Sequence, residues 1–154
     1  MTVYLLALLI GVVAGLRTVT APAAVSWAAH FGWLDLSGTW LAFLSSAWAR
    51  WSLTLLALVE LVTDQLPSTP SRTVPVQFGA RLVSGAVAGA AVGTDGGTWV
   101  GGMLAGVVGA VVGTLGGRAF RARLAAAFGS DRPAAFVEDA AAIGGALLIG
   151  VALR

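Results

Sequence analysis

The sequence predicts an all-α, polytopic membrane protein with about five transmembrane spans, and three observations lead to this fold class. Of the 154 residues, 58% are hydrophobic and only 10% are charged, whereas soluble domains carry roughly a quarter charged residues. The mean hydropathy is +0.90. Apolar segments recur to the end of the chain, so we expect residues 1–154 to form a single integral membrane domain.

The composition also excludes several classes of function. The chain has no cysteine, which excludes disulfides, thiolate metal sites and cysteine nucleophiles. Its formal net charge is +2, but the arginines lie between apolar segments and form no patch, so nucleic-acid binding is not expected. The sequence contains no Walker loop, Gly-x-Ser-x-Gly motif or paired-histidine metal site. We therefore expect no catalytic residues, no cofactor and no metal.

The first two apolar segments are both irregular. The first runs from Val3 to about Ala29 and contains Pro22, which lacks a backbone donor and disfavours helical geometry in the residue before it. Residues 17–22 are therefore expected to form a kink or a short unwound stretch. The second segment, Leu41 to Leu66, is long for one span. Its first part is expected to lie along the membrane interface, with the span itself starting near Trp51.

The other three predicted spans run from about Phe78 to Gly93, Trp99 to Gly117 and Pro133 to Leu153. In the first two of them glycine recurs at every fourth position, at Gly85, Gly89, Gly93, Gly109, Gly113 and Gly117. On a helix this spacing makes a smooth stripe that another backbone can approach closely. We expect these stripes to pack helices together, either within one chain or between the subunits of a homo-oligomer.

The arginines predict the orientation of the chain. In a five-span topology, connectors 67–77 and 118–132, with the adjoining Arg81, lie on one side and hold six arginines, whereas connectors 30–39 and 94–98 hold none. Because cytoplasmic loops carry the excess of basic residues, we expect a protein of the bacterial inner membrane with a cytoplasmic N-terminus and an external C-terminus.

A weak internal similarity suggests an inverted repeat. The stretch from Gly11 to Gly32 resembles the stretch from Gly106 to Gly129. In the five-span topology the two stretches point in opposite directions, as an inverted repeat requires. Both are simple sequences of glycine, alanine and valine, so chance similarity is the alternative.

Four carboxylates form the most informative pattern. Glu60 and Asp64 are four residues apart and share one helix face near the cytoplasmic end of the second span. Glu138 and Asp139 open the fifth span, which starts on the same side. A carboxylate buried in a membrane must be protonated, paired, or bound to a cation or water. A shared cation or proton site is one interpretation; the others are complementation of a helix N-terminus by the second pair and ion pairing with arginine.

Arg17 is the second unusual feature, because an arginine near mid-span faces the protein interior or a water-filled cavity. It lies beside the predicted break, where backbone donors are free, so Arg17 and Thr18 are candidates to hold an anionic group or to form a gate, with Arg72 as a further cation. A salt bridge between Arg17 and Glu60 is the structural alternative, and Arg81 is a second candidate partner for the carboxylates.

Three stretches carry a family resemblance: Gly15-Leu16-Arg17-Thr18, the run from Glu60 to Arg72, and Glu138 to Gly145. Together they resemble a family of small bacterial membrane proteins catalogued as a domain of unknown function, DUF4126. The resemblance covers most of the chain and implies a membrane protein without indicating a substrate. Members of the family often carry lysine where this chain has Gln65. More distantly, the start of the Glu60 run is similar to an acidic helix motif of manganese and calcium exchangers.

The sequence as a whole favours a small transporter or channel for an ion or a proton. The four carboxylates are the expected polar site, with Arg17 as gate or counter-charge, and membrane lipids are the expected surroundings. The alternative is a non-transporting scaffold or lipid-interacting protein whose buried charges are only structural. A second alternative is an enzyme that acts on a lipid phosphate.

Overall fold

A computed structural model describes residues 1–65 and 73–154, and in these ranges every regular secondary-structure element is a helix. The α-helices are α1 (Thr2–Leu16), α2 (Thr20–His30), α3 (Ala47–Thr63), α4 (Pro75–Asp95), α5 (Trp99–Phe128) and α6 (Asp131–Ala152), with a 3-10 helix, Ala42–Ser45, before α3. Three of them, α4, α5 and α6, are long and apolar enough to cross a membrane, and α1 is a shorter apolar helix. The predicted all-α class is confirmed, whereas the count of five spans is not.

The predicted interruption of the first segment is present, but it reverses the chain instead of kinking one span. α1 ends at Leu16, Arg17 is extended, with φ −138° and ψ 113°, and α2 begins at Thr20. Pro22 therefore lies in the first turn of α2. Backbone N–H groups in the first turn have no acceptor within the helix, so the N–H that proline lacks costs no helical hydrogen bond.

The direction of α2 follows from contacts with α6. Val13 of α1 packs on Gly145, and Trp33, just beyond α2, packs on Gly150. In one continuous helix Val13 and Trp33 would be ~30 Å apart, whereas Gly145 and Gly150 are only ~8 Å apart along α6. α1 and α2 therefore form an antiparallel hairpin, and we refer to residues 17–19 as its tip.

The hairpin places both ends of the chain at the same end of the bundle. Val3 contacts Gly96 at the end of α4, and the Arg154 guanidinium lies over the ring of Trp33. The connector between α5 and α6 lies at the opposite end. The five-span topology, with its termini on opposite sides, is not confirmed, because its first span consists of two helices.

The predicted inverted repeat is wrong. α1 and α5 run parallel, since Tyr4 lies against Gly101 and Gly15 lies against Thr114. Moreover, the first of the two similar stretches forms the hairpin, whereas the second belongs almost entirely to one continuous helix. The directions of these elements therefore do not fit an inverted repeat.

α5 is the central helix, and glycines let it approach α1 and α4 at backbone distance. A Cβ atom added to Gly89 would meet the backbone of Gly102 and Gly106 at under 3.0 Å, and one added to Gly109 would meet the backbone of α1 at under 3.0 Å. Helix backbones this close together make extensive van der Waals contact, which is a main source of helix association in an apolar environment. Three other stripe glycines make similar approaches within the chain, Gly85, Gly93 and Gly113, and Gly117 is buried.

α3 is the least embedded helix, because none of its residues is fully buried. The first half of α3 rests on α2. There the Trp27 indole donates a hydrogen bond of 3.0 Å to the Thr54 hydroxyl and packs edge-on against the Trp51 ring. Apolar grooves open on both of its sides, one towards α6 and one towards α4. α3 thus contacts α2 mainly through its first half.

The close packing of α5 predicts opposite effects for two glycine-to-alanine substitutions. Gly109→Ala should destabilise the protein by about 1–3 kcal/mol, because its new methyl group overlaps the backbone of α1. Gly116→Ala is the matched control, because a Cβ at this exposed position meets nothing within 4 Å, and helix propensity should make it neutral or stabilising by up to about 1 kcal/mol. Unfolding in detergent measures both, and equal stabilities would contradict the packing of α5 against α1.

The hairpin predicts which positions share one side of the membrane. The natural chain has no cysteine, so single-cysteine variants can be labelled without background. Thr2→Cys and Ala152→Cys, both at exposed positions, should react with an impermeant maleimide from the same side of sealed vesicles, and Ser130→Cys, also exposed, from the other side. Labelling of Thr2→Cys and Ser130→Cys from one side would contradict the reversal at residues 17–19.

Candidate functional site

The polar side chains around the hairpin tip form one buried charge network, centred on Arg17. The Arg17 side chain is 0% exposed. Its guanidinium pairs with Asp64, which follows α3, and with Asp139 of α6; Nε donates to Oδ1 of Asp139 at 2.5 Å. Oε2 of Glu138 lies 3.9 Å from Nη2. One guanidinium thus joins the tip of the hairpin to two other helices.

Glu60 holds the same tip through backbone amides. Its Oε1 accepts a hydrogen bond of 2.6 Å from the Thr18 N–H, and its Oε2 accepts one of 2.8 Å from the Val19 N–H. These donors have no helical partner because they precede α2, and the positive end of a helix favours an anion there. The predicted salt bridge between Glu60 and Arg17 is therefore replaced by this contact. The anionic group at the free donors is a side chain of the same protein.

The carbonyl groups freed by the break are bound by α4 and α5. Arg81 donates from Nη1 to the Gly15 and Leu16 carbonyls at 3.0 Å each. Ser84 donates its hydroxyl to the Thr18 carbonyl. The Thr114 hydroxyl shares its single proton between the Ala110 carbonyl at 2.7 Å and the Gly15 carbonyl at 3.3 Å. Buried backbone groups must be paired, and these three side chains meet that requirement where the helical hydrogen bonds stop.

Two further polar residues complete the network, and the sequence analysis did not select them. Gln65 donates from Nε2 to Oδ2 of Asp139 at 3.0 Å. Arg121 lies 3.5 Å from Oε2 of Glu138 and also pairs with Asp131. A signal for Arg121 was present, because it continues the four-residue period of the buried glycines that ends at Gly117. Gln65 carries no comparable signal.

The structure brings together the five residues predicted for the polar site, namely Arg17, Glu60, Asp64, Glu138 and Asp139. The roles expected of some residues differ from those observed. Glu138 and Asp139 do not complement a helix N-terminus, because α6 begins at Asp131, about two turns earlier. Thr18 takes part through its backbone. Arg72 lies outside the described residues. Across residues 1–65 and 73–154, no group of three acidic or histidine side chains is arranged to hold a metal ion.

The network predicts a large loss of stability when its central cation is removed. Arg17→Gln should lower the free energy of unfolding by about 3–5 kcal/mol, because it leaves buried carboxylates unpaired. Arg123→Gln is the matched control, since Arg123 is exposed near the end of α5 and surface substitutions change stability by about 0.5 kcal/mol or less. Denaturant titration in detergent compares them. Equal stabilities would show that Arg17 is not part of a tightly coupled network.

Comparison with known proteins adds a family but no activity. A family model described as "Domain of unknown function (DUF4126)" matches residues 4–152, a range that includes nearly all of the six helices and every charged residue of the network. No curated protein and no solved structure matches the chain. The match confirms the resemblance seen in the sequence, and the chain belongs to the DUF4126 family of proteins with a domain of unknown function.

Proposed function

We propose that this protein is a small membrane transporter or channel for a proton or a small cation, with the charge network as its polar site. The observation that carries the proposal is the fully buried Arg17 guanidinium, which carboxylates from two separate elements share. Ionisable side chains inside membrane helices are rare and mark ion pathways and proton relays. A site of this kind changes its charge whenever one carboxylate takes up a proton.

The proposed orientation puts the end of the bundle where α5 meets α6 in the cytoplasm of a bacterium. The last part of α5 carries Arg118, Arg121 and Arg123 there, in agreement with the positive-inside rule. Both termini are then external, and the hairpin enters the inner membrane from outside. From Trp99 to Thr114, which lies level with the tip, α5 rises ~22 Å. With a hydrocarbon core about 30 Å thick, the tip lies inside the apolar region and nearer the cytoplasmic surface.

The arrangement favours a proton over a metal ion. The Arg17 guanidinium already occupies the point on which Asp64 and Asp139 converge, so a metal ion has to displace a built-in cation. A proton needs no such space. Protonation of Asp64 or Asp139 removes one of the charges that bind Arg17, and the attraction between the hairpin tip and the neighbouring helix weakens.

The element that responds in this proposal is α3. Asp64 follows this helix and Glu60 lies on it, and both contact the tip. Because α3 buries none of its residues fully, its displacement breaks few packing contacts, and segments with few buried contacts open at the lowest free energy. Loss of the contacts that Glu60 and Asp64 make with the tip, at the C-terminal end of α3, is therefore proposed to release this helix and open a path beside the tip.

A scaffold or lipid-interacting function is the second candidate, and one observation favours it. Glu60, Asp64, Glu138 and Asp139 all have partners within the chain, as purely structural charges would. In that case the network only fastens the hairpin to the bundle. The two candidates differ in whether neutralising a carboxylate changes a flux or changes stability alone.

Proton flux into liposomes tests the proposal. Wild-type protein should acidify vesicles under an imposed membrane potential, and Asp139→Asn and Glu138→Gln should lower the rate about tenfold or more, as loss of a positioned proton carrier does. Asp35→Asn is the control, because Asp35 is exposed in the loop after α2. If the wild-type protein carries neither protons nor cations, and the variants differ from it only in melting temperature, the charge network has a structural role instead.

A further inference from the structure

A second feature, separate from the charge network, is the groove between α2, α3 and α6. Its cavity volume is about 490 Å³, within the range of roughly 300–1,000 Å³ that is typical of ligand sites. The lining is almost entirely apolar, and three aromatic residues, Trp27, Phe31 and Trp33, mark the end nearest the termini. The groove opens at the outer surface of the bundle, where a membrane protein meets lipid.

Two arginines flank this aromatic end. The Arg50 guanidinium lies 5.2 Å from the centroid of the Trp27 ring, and the Arg154 guanidinium lies 5.6 Å from that of Trp33. Phe31 connects the two indoles, with ring centroids 5.6 Å from Trp27 and 5.0 Å from Trp33. Both cations thus stand over walls of the same groove.

Neither arginine is neutralised within the part of the chain that the structure describes. No Asp or Glu side chain there lies at ion-pair distance from either guanidinium, and the buried Nε of Arg50 has no hydrogen-bond partner. Stacking on an indole leaves the N–H edge of a guanidinium available. That edge matches the oxygens of a phosphate, which it can bind with two parallel hydrogen bonds.

We propose that this groove binds an anionic phospholipid, with its phosphate held by Arg50 and Arg154 and one acyl chain lying along the groove. Charge complementarity selects the occupant. An apolar cavity flanked at one end by two arginines with no Asp or Glu partner among the described residues fits a molecule that is apolar along its length and anionic at one end. A free phosphate leaves the apolar lining unfilled. The proposal is independent of the transport function, since it uses none of the network residues.

The groove on the other side of α3 serves as an internal comparison. It has a cavity volume of about 620 Å³ and is also apolar, with Phe43, Leu56, Ala80 and Val87 among its lining residues. No arginine stacks on Phe43 among the described residues. Annular lipid is expected to fill this groove without regard to headgroup charge, whereas the first groove should select for the anion.

Native mass spectrometry of the detergent-solubilised protein tests this selection with phosphatidylglycerol and phosphatidylcholine. Wild-type protein should retain phosphatidylglycerol preferentially. Arg50→Gln and Arg154→Gln should each weaken that binding about tenfold, the effect of losing a hydrogen bond to a charged group, and leave phosphatidylcholine unchanged. Arg123→Gln, at the opposite end of the bundle, should bind as wild type. Arg154→Gln removes only a stacked terminal side chain, so it tests the headgroup contact even if Arg50→Gln fails to fold.

A pair of groove-filling variants tests the acyl-chain contact. Ala57→Phe fills the groove between α3 and α6 and should reduce phosphatidylglycerol binding, whereas Ala80→Phe fills the comparison groove and should not. Soluble glycerol phosphate should not compete with the lipid at equal concentration. Equal binding of the two lipids by wild-type protein, or wild-type affinity for phosphatidylglycerol in Arg154→Gln and Ala57→Phe, would overturn the proposal.

Discussion

A guanidinium cannot be placed inside a helical bundle unless anionic groups neutralise it, and much of this structure follows from that constraint on Arg17. The burial penalty of an isolated charge exceeds the stability of a whole domain, so carboxylates must be brought to the point where the chain reverses. Asp64 and Asp139 supply them from two separate elements, and Glu60 binds the adjacent amides. The charge therefore determines which helices must meet at the hairpin tip.

The glycine contacts provide the rigid frame in which this charge is held. Backbone-distance packing of α5 against α1 and α4 leaves little space for relative movement, since Gly89 and Gly109 each face another backbone. α3 lies outside that frame with no fully buried residue, although it carries or adjoins two of the network carboxylates. A well-packed core with a loosely attached charged helix gives the division between a fixed and a movable part that the proposed gated pathway requires.

The same loose attachment connects the charge network with the apolar grooves. Because α3 stands away from α4 and α6, each flank of this helix is open, and a lipid bound in either groove would contact the helix directly. Arg50 lies near the start of α3 and Glu60 near its end, so the proposed headgroup and the proposed proton would both act on one element. This offers a physical route by which membrane composition affects the polar site, through the position of a single helix.

The sequence by itself determined the local features of this protein. Hydropathy identified the apolar helices, Arg17 and Pro22 located the break, the four-residue period marked Gly85 to Gly117 as contact surfaces, and the cost of burying charge singled out Glu60, Asp64, Glu138 and Asp139. Only the tertiary structure decided the direction of α2, because the extended backbone of Arg17 permits a kink as well as a reversal, and the packing of α1 and α2 along α6 selects the reversal. The partners of Arg17, and the participation of Gln65 and Arg121, depend on how helices distant in sequence are placed side by side, which no local pattern encodes.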